Sequence, residues 1–239
     1  MSFAALKAEV AAANIDLHRS GLVFLSFGNV SGVDRAAGVF AIKPSGVSYA
    51  SLKADDIVVV SLEDETVVEG ALRPSSDTAT HRHLYRELPD VGGIVHTHSQ
   101  HATAWAQAGR AIPPLGTTHA DYFRGPVPMT RPLTDDEVEG EYERATGVVI
   151  MDTLRAAGRT SIDCPAILVA SHGPFAWGDE AAAAVANAIA LESIAAIAFE
   201  TLALDPSAPG VSDTLLRRHH DRKHGPGATY GQPAANLRR

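Results

Sequence analysis

The chain has 239 residues and contains no linker, repeat or low-complexity run, so it is read as a single domain over 1–239 with a C-terminal tail from about 225. A net charge of −8 argues against nucleic acid as a bulk partner, because phosphate-backbone binding needs a positive field. No membrane span or signal peptide is evident and the single Cys164 has no internal disulfide partner, so a soluble cytoplasmic protein is expected.

From the N-terminus, Ser2 is placed to cap a helix running to about Ser20, with Phe3, Leu6, Val10 and Leu17 near one face and Gly21 as its stop. Residues 22–30 read as a strand, followed by a turn through Gly32, Asp34 and Arg35. A second strand at 39–42 makes the pair a hairpin. Residues 43–46 form a loop, 57–61 a buried strand and 66–68 a short one. The loop 73–77 precedes and caps a helix over about 78–88. A short buried strand then ends in His96-Thr97-His98, and a helix follows at about 100–108. Residues 111–134, rich in Gly, Pro and Thr, read as irregular, and a helix covers about 135–157 with Gly147 as its weak point. Residues 166–170 form a strand that ends at Ser171-His172-Gly173, with 175–177 as its hairpin partner. An alanine-rich core helix spans about 179–203, a last helix about 212–223, and the tail is polar and Gly-rich. Hairpin-joined strands with helices throughout predict a mixed or mostly antiparallel sheet covered by helices.

Strand side chains alternate, so His96 and His98 share a face, roughly 6.5–7 Å apart along the backbone. Two imidazoles at that spacing can converge on one cation, and a catalytic site needs a third ligand. His172, at the end of a buried strand, is the leading candidate, with His101 and His119 as rivals. The competing reading is chance pairing in a chain with 11 histidines. His81 and His83 repeat the pattern, but on a helix residues i and i+2 do not face each other, so these two read as surface or structural. Lys43-Pro44-Ser45-Gly46 and Pro74-Ser75-Ser76-Asp77 are donor-rich loops that suit a phosphate. Composition alone favours ordinary turn and N-cap chemistry there, and Gly28-Asn29 is equally open. Asp121 in the irregular segment and Tyr230 in the tail each read alone as surface residues, although both side chains serve as proton donors or acceptors when positioned.

Taken together, several segments resemble the class II aldolase and L-ribulose-5-phosphate 4-epimerase family. They are Gly28-Asn29-Val30-Ser31, Ile42-Lys43-Pro44-Ser45-Gly46-Val47, Pro74-Ser75-Ser76-Asp77-Thr78 and Gly93-Ile94-Val95-His96-Thr97-His98-Ser99. Further along come Gly116-Thr117-Thr118-His119-Ala120-Asp121-Tyr122-Phe123, Ser171-His172-Gly173-Pro174-Phe175-Ala176-Trp177-Gly178, and Arg222-Lys223-His224-Gly225 followed by Tyr230-Gly231-Gln232. They run in the family's order from about residue 6 to 232. The resemblance implies a three-layer α/β/α fold around a mixed, mostly antiparallel sheet, assembled as a cyclic homotetramer with active sites between neighbouring subunits. It implies a divalent cation, zinc or another such as Mn2+ or Co2+, held by His96, His98 and His172, with Asp77 beside the metal or as a further ligand. Gly28, Asn29, Lys43, Ser45, Gly46, Ser75 and Ser76 would hold a sugar phosphate, and Thr117, His219 and Arg222 would complete the pocket. Asp121 and Tyr230 would enter from the adjacent subunit as the acid/base pair.

The reaction implied is C4 epimerisation of L-ribulose 5-phosphate to D-xylulose 5-phosphate, in pentose (L-arabinose) catabolism. C4 carries no acidic C–H, so inversion calls for retro-aldol cleavage of C3–C4 and re-addition, with the metal as Lewis acid. Related sugar-phosphate aldolases, such as those acting on L-fuculose phosphate, stop at cleavage. They typically carry a glutamate where this chain has Asp77, which favours the epimerase. A third reading is a non-catalytic binding protein on the same fold, as in the head domain of adducin. Such relatives have lost the metal histidines, whereas all three stand here.

Overall fold

The structure is a computed structural model that describes residues 2–225, 228 and 229. Strands β1 (Asn29–Asp34), β2 (Val39–Ile42), β3 (Val58–Ser61) and β4 (Val67–Glu69) form a meander in chain order. Strand β5 (Gly93–His96) pairs with the free edge of β1, and β7 (Pro174–Gly178) and β6 (Ala166–Leu168) extend the sheet beyond it. The order is β4-β3-β2-β1-β5-β7-β6, and every one of these ladders is antiparallel. Parallel pairing among the described residues is confined to the isolated bridge Met129–Leu168, in line with the expected mostly antiparallel sheet.

Alternation along the strands sorts side chains into two layers. On one face, Val10 and Ala11 of α1 (Ala4–Arg19) pack with Val39, Ala41, Ile57 and Val59. The long α7 (Ala181–Leu204) lies along β5 and β7 on that side and buries Ala181, Ala184, Val185, Ala188 and Leu191. It is long and apolar enough to cross a membrane by length and composition, yet its small buried residues are those of a helix pressed on a sheet. On the other face lies α2 (Thr78–Glu87), whose Tyr85 ring meets Phe40 at 5.6 Å and whose hydroxyl lies 2.8 Å from Ser31 Oγ. Helix α6 (Tyr142–Ala156) packs against α2 from outside. The remaining α-helices of the described residues are α3 (Gln100–Gln107), α4 (Thr117–Ala120), α5 (Asp135–Glu139) and α8 (Asp213–His224).

Several boundaries differ from expectation for identifiable reasons. Residues 22–28 are not strand: Leu25 and Gly28 have φ of 56° and 78°, and Phe27 N donates to Phe24 O in a turn. Strand β1 instead runs through Gly32, and the reversal comes at the positive-φ Gly38. Phe3, not Ser2, occupies the N-cap of α1, without a side-chain cap. The helix expected over 135–157 breaks at Gly140-Glu141, where α5 ends and α6 begins. Gly147 does not interrupt α6. A Cβ there would lie 2.9 Å from His83 Cβ, so the glycine lets α6 approach α2. The segment 111–134 carries the short α4 and an antiparallel bridge, Ile112–Val127.

Sheet and helix approach closely at Gly93, where a Cβ would lie 2.4 Å from Ala181 Cα and 2.5 Å from Ala181 N. Those are backbone atoms at a helix start and cannot swing away. Gly93→Ala is expected to destabilise the protein by about 1–3 kcal/mol or more through overpacking. The check is a thermal midpoint lower by about 2–4 °C per kcal/mol for a chain of this size.

Candidate functional site

Register is what assembles the site. His96 closes β5 and is aligned with Asn29 of β1 on one side and Phe175 of β7 on the other. Directly opposed residues in a sheet share a face, so these three side chains emerge together. The His96 ring stacks on Phe175 with centroids 4.3 Å apart. Its Nδ1 lies 3.0 Å from Pro174 O, an atom that only accepts, so Nδ1 carries the proton and Nε2 presents its lone pair. His98 lies just past the strand end on the same side, against Phe27, and its Nε2 comes within 3.1 Å of His96 Nε2.

His172 is brought in by the turn between β6 and β7. Ser171 takes a positive φ of 59°, and a Cβ on Gly173 would lie 2.6 Å from Thr97 O. That turn therefore closes directly on the backbone between His96 and His98. Ring centroids of the three imidazoles are 4.9, 4.7 and 5.0 Å apart, and their ligand atoms all lie within 4.8 Å of one another. Burial, then the neighbouring imidazoles of His96 and His98, push His172 down to about 4. Burial and His96 also lower His98. Neutral rings with converging lone pairs are the donor set that a divalent cation needs, and these residues fit one.

The rival ligands are engaged elsewhere. His101 Nδ1 lies 2.9 Å from Glu192 Oε1, whose carboxylate also accepts the backbone N–H groups of His101 and Ala102 at the start of α3. His119 Nε2 donates to Gly125 O at 2.6 Å. His81 is fully buried with Nδ1 2.7 Å from Ser31 Oγ, and burial pushes it down to about 3, which makes it a neutral core group. His83 packs against Gly147.

Asp77 stands at the N-cap of α2, but its carboxylate does not cap the helix. It accepts instead from Asn29 Nδ2 at 2.6 Å, and the same amide donates to Ser75 Oγ at 3.0 Å. Asn29 thus ties the serine loop to the carboxylate beside the imidazoles. Burial works to raise Asp77, but the polar groups around it, the donating Asn29 amide among them, outweigh burial, so the group stays below the usual carboxylate range. The two donor-rich loops are joined by the bridge Pro44–Pro74, with Ser45 N donating to Arg73 O and Ser75 N to Lys43 O. Lys43 is buried, its Nζ 4.6 Å from the Tyr49 ring centroid, and burial lowers it to about 8. Ser45, Gly46 and Ser76 are exposed, and Ser75 is half-buried. Gly28 has no alternative: a Cβ would lie 2.8 Å from Val23 Cγ1 and 2.9 Å from His96 O.

A second cluster forms where α8 packs on α4. Asp121, the C-cap of α4, accepts from His219 Nδ1 at 2.9 Å and from Arg222 Nε and Nη2 at 3.1 and 2.9 Å. His224 Nε2 donates to its backbone oxygen at 2.9 Å. Burial would raise Asp121, but Arg222 and His219 overcome that and hold it below its ordinary value. Thr117 opens α4. Tyr230 lies outside the described residues. Sequence reasoning missed Tyr142, whose hydroxyl lies 3.2 Å from His172 Nδ1, and the role of Glu192. A tyrosine at a helix start carries no signal, whereas an acid in the middle of an alanine-rich helix was one to follow.

Residues 8–199 match the family described as Class II Aldolase and Adducin N-terminal domain. The chain is 55% identical over 227 residues to proteins named L-ribulose-5-phosphate 4-epimerase UlaF from Salmonella paratyphi C (strain RKS4594) and Salmonella choleraesuis (strain SC-B67). Each match covers 95% of this chain and 98% of the relative. Among solved structures, an L-fuculose 1-phosphate aldolase is similar at TM-score 0.78 and 24% identity, over 93% of this chain and 97% of that one; at this identity the likeness concerns the fold.

Pairing with Arg222 and His219 depresses the folded-state value of Asp121, so its stabilisation is present above the unfolded value of about 3.9 and is lost as pH falls through the lower folded value. Asp121→Asn is expected to lower the thermal midpoint at about pH 6, with the difference from the wild type shrinking as pH falls below the unfolded carboxylate value of about 3.9. A difference that stays equal across that range in thermal scans would contradict the pairing.

Proposed function

This chain belongs to the Class II Aldolase and Adducin N-terminal domain family, and we propose that it is a divalent-metal-dependent L-ribulose-5-phosphate 4-epimerase acting in pentose (L-arabinose) catabolism. The observation that carries the reading is 55% identity to proteins of that name across 95% of this chain and 98% of theirs. The convergence of His96, His98 and His172 supports it, and argues against a binding protein that has dispensed with metal.

Inversion at C4 must break and remake a carbon–carbon bond, because C4 offers no acidic hydrogen. His96, His98 and His172 would hold a divalent cation, zinc being the natural match to three imidazole nitrogens, and the cation would supply Lewis acidity at the ketone. Asp77, kept ionised and clamped by Asn29, orients that site or joins it as a ligand. Lys43, Ser45, Gly46, Ser75 and Ser76, with Gly28 and Asn29, hold the phosphate, so the two-carbon aldehyde can turn over without leaving. Asp121, held as a carboxylate by Arg222 and His219, exchanges a proton with the C4 oxygen on one face, and Tyr230 does so on the other. Thr117 completes that side.

We assign the whole chain to one catalytic domain that assembles as a cyclic homotetramer, with Asp121 and Tyr230 reaching a neighbour's imidazoles. The exposed Phe24, Leu25 and Phe27, the last against His98, support a covering neighbour, since such rings do not favour water. The reaction belongs in the cytoplasm, because a phosphorylated ketose does not cross a bilayer.

The direct test is incubation with L-ribulose 5-phosphate, with and without chelator, read by NMR. D-xylulose 5-phosphate is expected, lost with chelator and restored by Zn2+, Mn2+ or Co2+. The fold shared with L-fuculose 1-phosphate aldolase makes cleavage alone the second reading. Free glycolaldehyde phosphate without xylulose 5-phosphate would establish it. For the assembly, His98→Asn is expected to lose most metal and activity, and mixing it with Asp121→Asn to recover part of the turnover. No recovery in verified mixed tetramers would assign all groups to one subunit.

A further inference from the structure

We infer that Tyr142 is a positioning residue for the proposed metal centre: its hydroxyl accepts the Nδ1 proton of His172 and so presents Nε2 of that ring to the cation. The inference rests on the reading of His96, His98 and His172 as metal ligands.

A neutral imidazole carries one proton on two nitrogens, and the nitrogen that keeps it decides which one can ligate. His96 meets this requirement through the carbonyl of Pro174, 3.0 Å from its Nδ1. His172 lies on a turn, where the backbone does less to fix a ring. The group within reach of its Nδ1 is the Tyr142 hydroxyl at 3.2 Å, with ring centroids 6.1 Å apart. A phenol both accepts and donates, so it can take the Nδ1 proton while its own proton turns elsewhere.

The placement of that hydroxyl is built into the fold. Tyr142 is the first residue of α6, and its carbonyl accepts from Thr146 Oγ1 at 2.9 Å. The next carbonyl, of Glu143, accepts from Thr80 Oγ1 of α2 at 2.5 Å. Gly147 removes the side chain that would hold the two helices apart at His83. Helix α2 carries Asp77 at its N-cap, so one helix pair delivers both Asp77 and Tyr142 to the imidazoles. Outer-shell partners of this kind set ring orientation and ligand basicity, and their loss typically costs about 10–100-fold in metal affinity.

The test is Tyr142→Phe, which keeps the ring and removes only the hydroxyl. Zinc affinity is measured by competition with a chromophoric chelator, alongside the thermal midpoint of metal-free protein. The expected result is affinity weakened about 10–100-fold with the metal-free midpoint unchanged. Affinity within about threefold of wild type, or a loss of affinity matched by a drop in the metal-free midpoint, would overturn the inference. An independent reading comes from ¹⁵N NMR of the zinc-loaded wild type, with the His172 signals assigned by His172→Gln. Nδ1 protonated and Nε2 ligated supports the inference, and the reverse tautomer overturns it. Wild-type protein that binds no stoichiometric zinc would overturn the underlying metal reading instead, so the two failures are distinguishable.

Discussion

The alignment of Asn29, His96 and Phe175 across three adjacent antiparallel strands is the constraint on which the site depends. A slip of one residue in β5 would turn His96 to the α7 face and bring Val95 in its place. Several features resist that slip. Gly93 is held against the start of α7 with no room for a side chain, and Gly28 lies against the carbonyl of His96. Asn14 of α1 both donates to the Val30 carbonyl and accepts the Val30 N–H, which ties β1 to the helix layer next to the functional residue.

From that register the polar groups follow in order. Asn29, beside His96, reaches both Ser75 and Asp77, so the serine loop and the carboxylate beside the imidazoles are linked through a single amide. A carboxylate drawn out of water is costly unless it is paired or hydrogen-bonded, and the Asn29 amide provides that hydrogen bond for Asp77. His172 and His98 are themselves lowered by burial and by their neighbouring imidazoles, which favours their neutral forms. The result is a pocket that favours binding a cation and keeps one negative group close to it. Asp121 belongs to a separate unit, where α8 grips the end of α4 through three side chains.

Local pattern carried much of this and misled in specific places. The two histidines one residue apart were legible because strand alternation is a property of any extended chain. The strand expected from Leu22 failed because two left-handed residues, Leu25 and Gly28, redirect the chain, and hydrophobicity alone does not report φ. Gly147 read as a helix weakness because the propensity scale has no knowledge of a partner helix that needs the space. Composition favoured a helix cap at Asp77, since the residue preferred for capping is also the one that serves as an acceptor in a site.

What the chain determines by itself is therefore local: where helices and strands lie, which residues share a face, and which side chains have metal or phosphate chemistry. Tertiary structure alone decides which of these meet. His172, rather than His101 or His119, joins the pair because β7 lies next to β5 and its turn closes on Thr97, while Glu192 and the Gly125 carbonyl occupy the other two rings. Strand order and helix packing are settled by burial summed over the whole core, and that sum is not written in any single window of sequence.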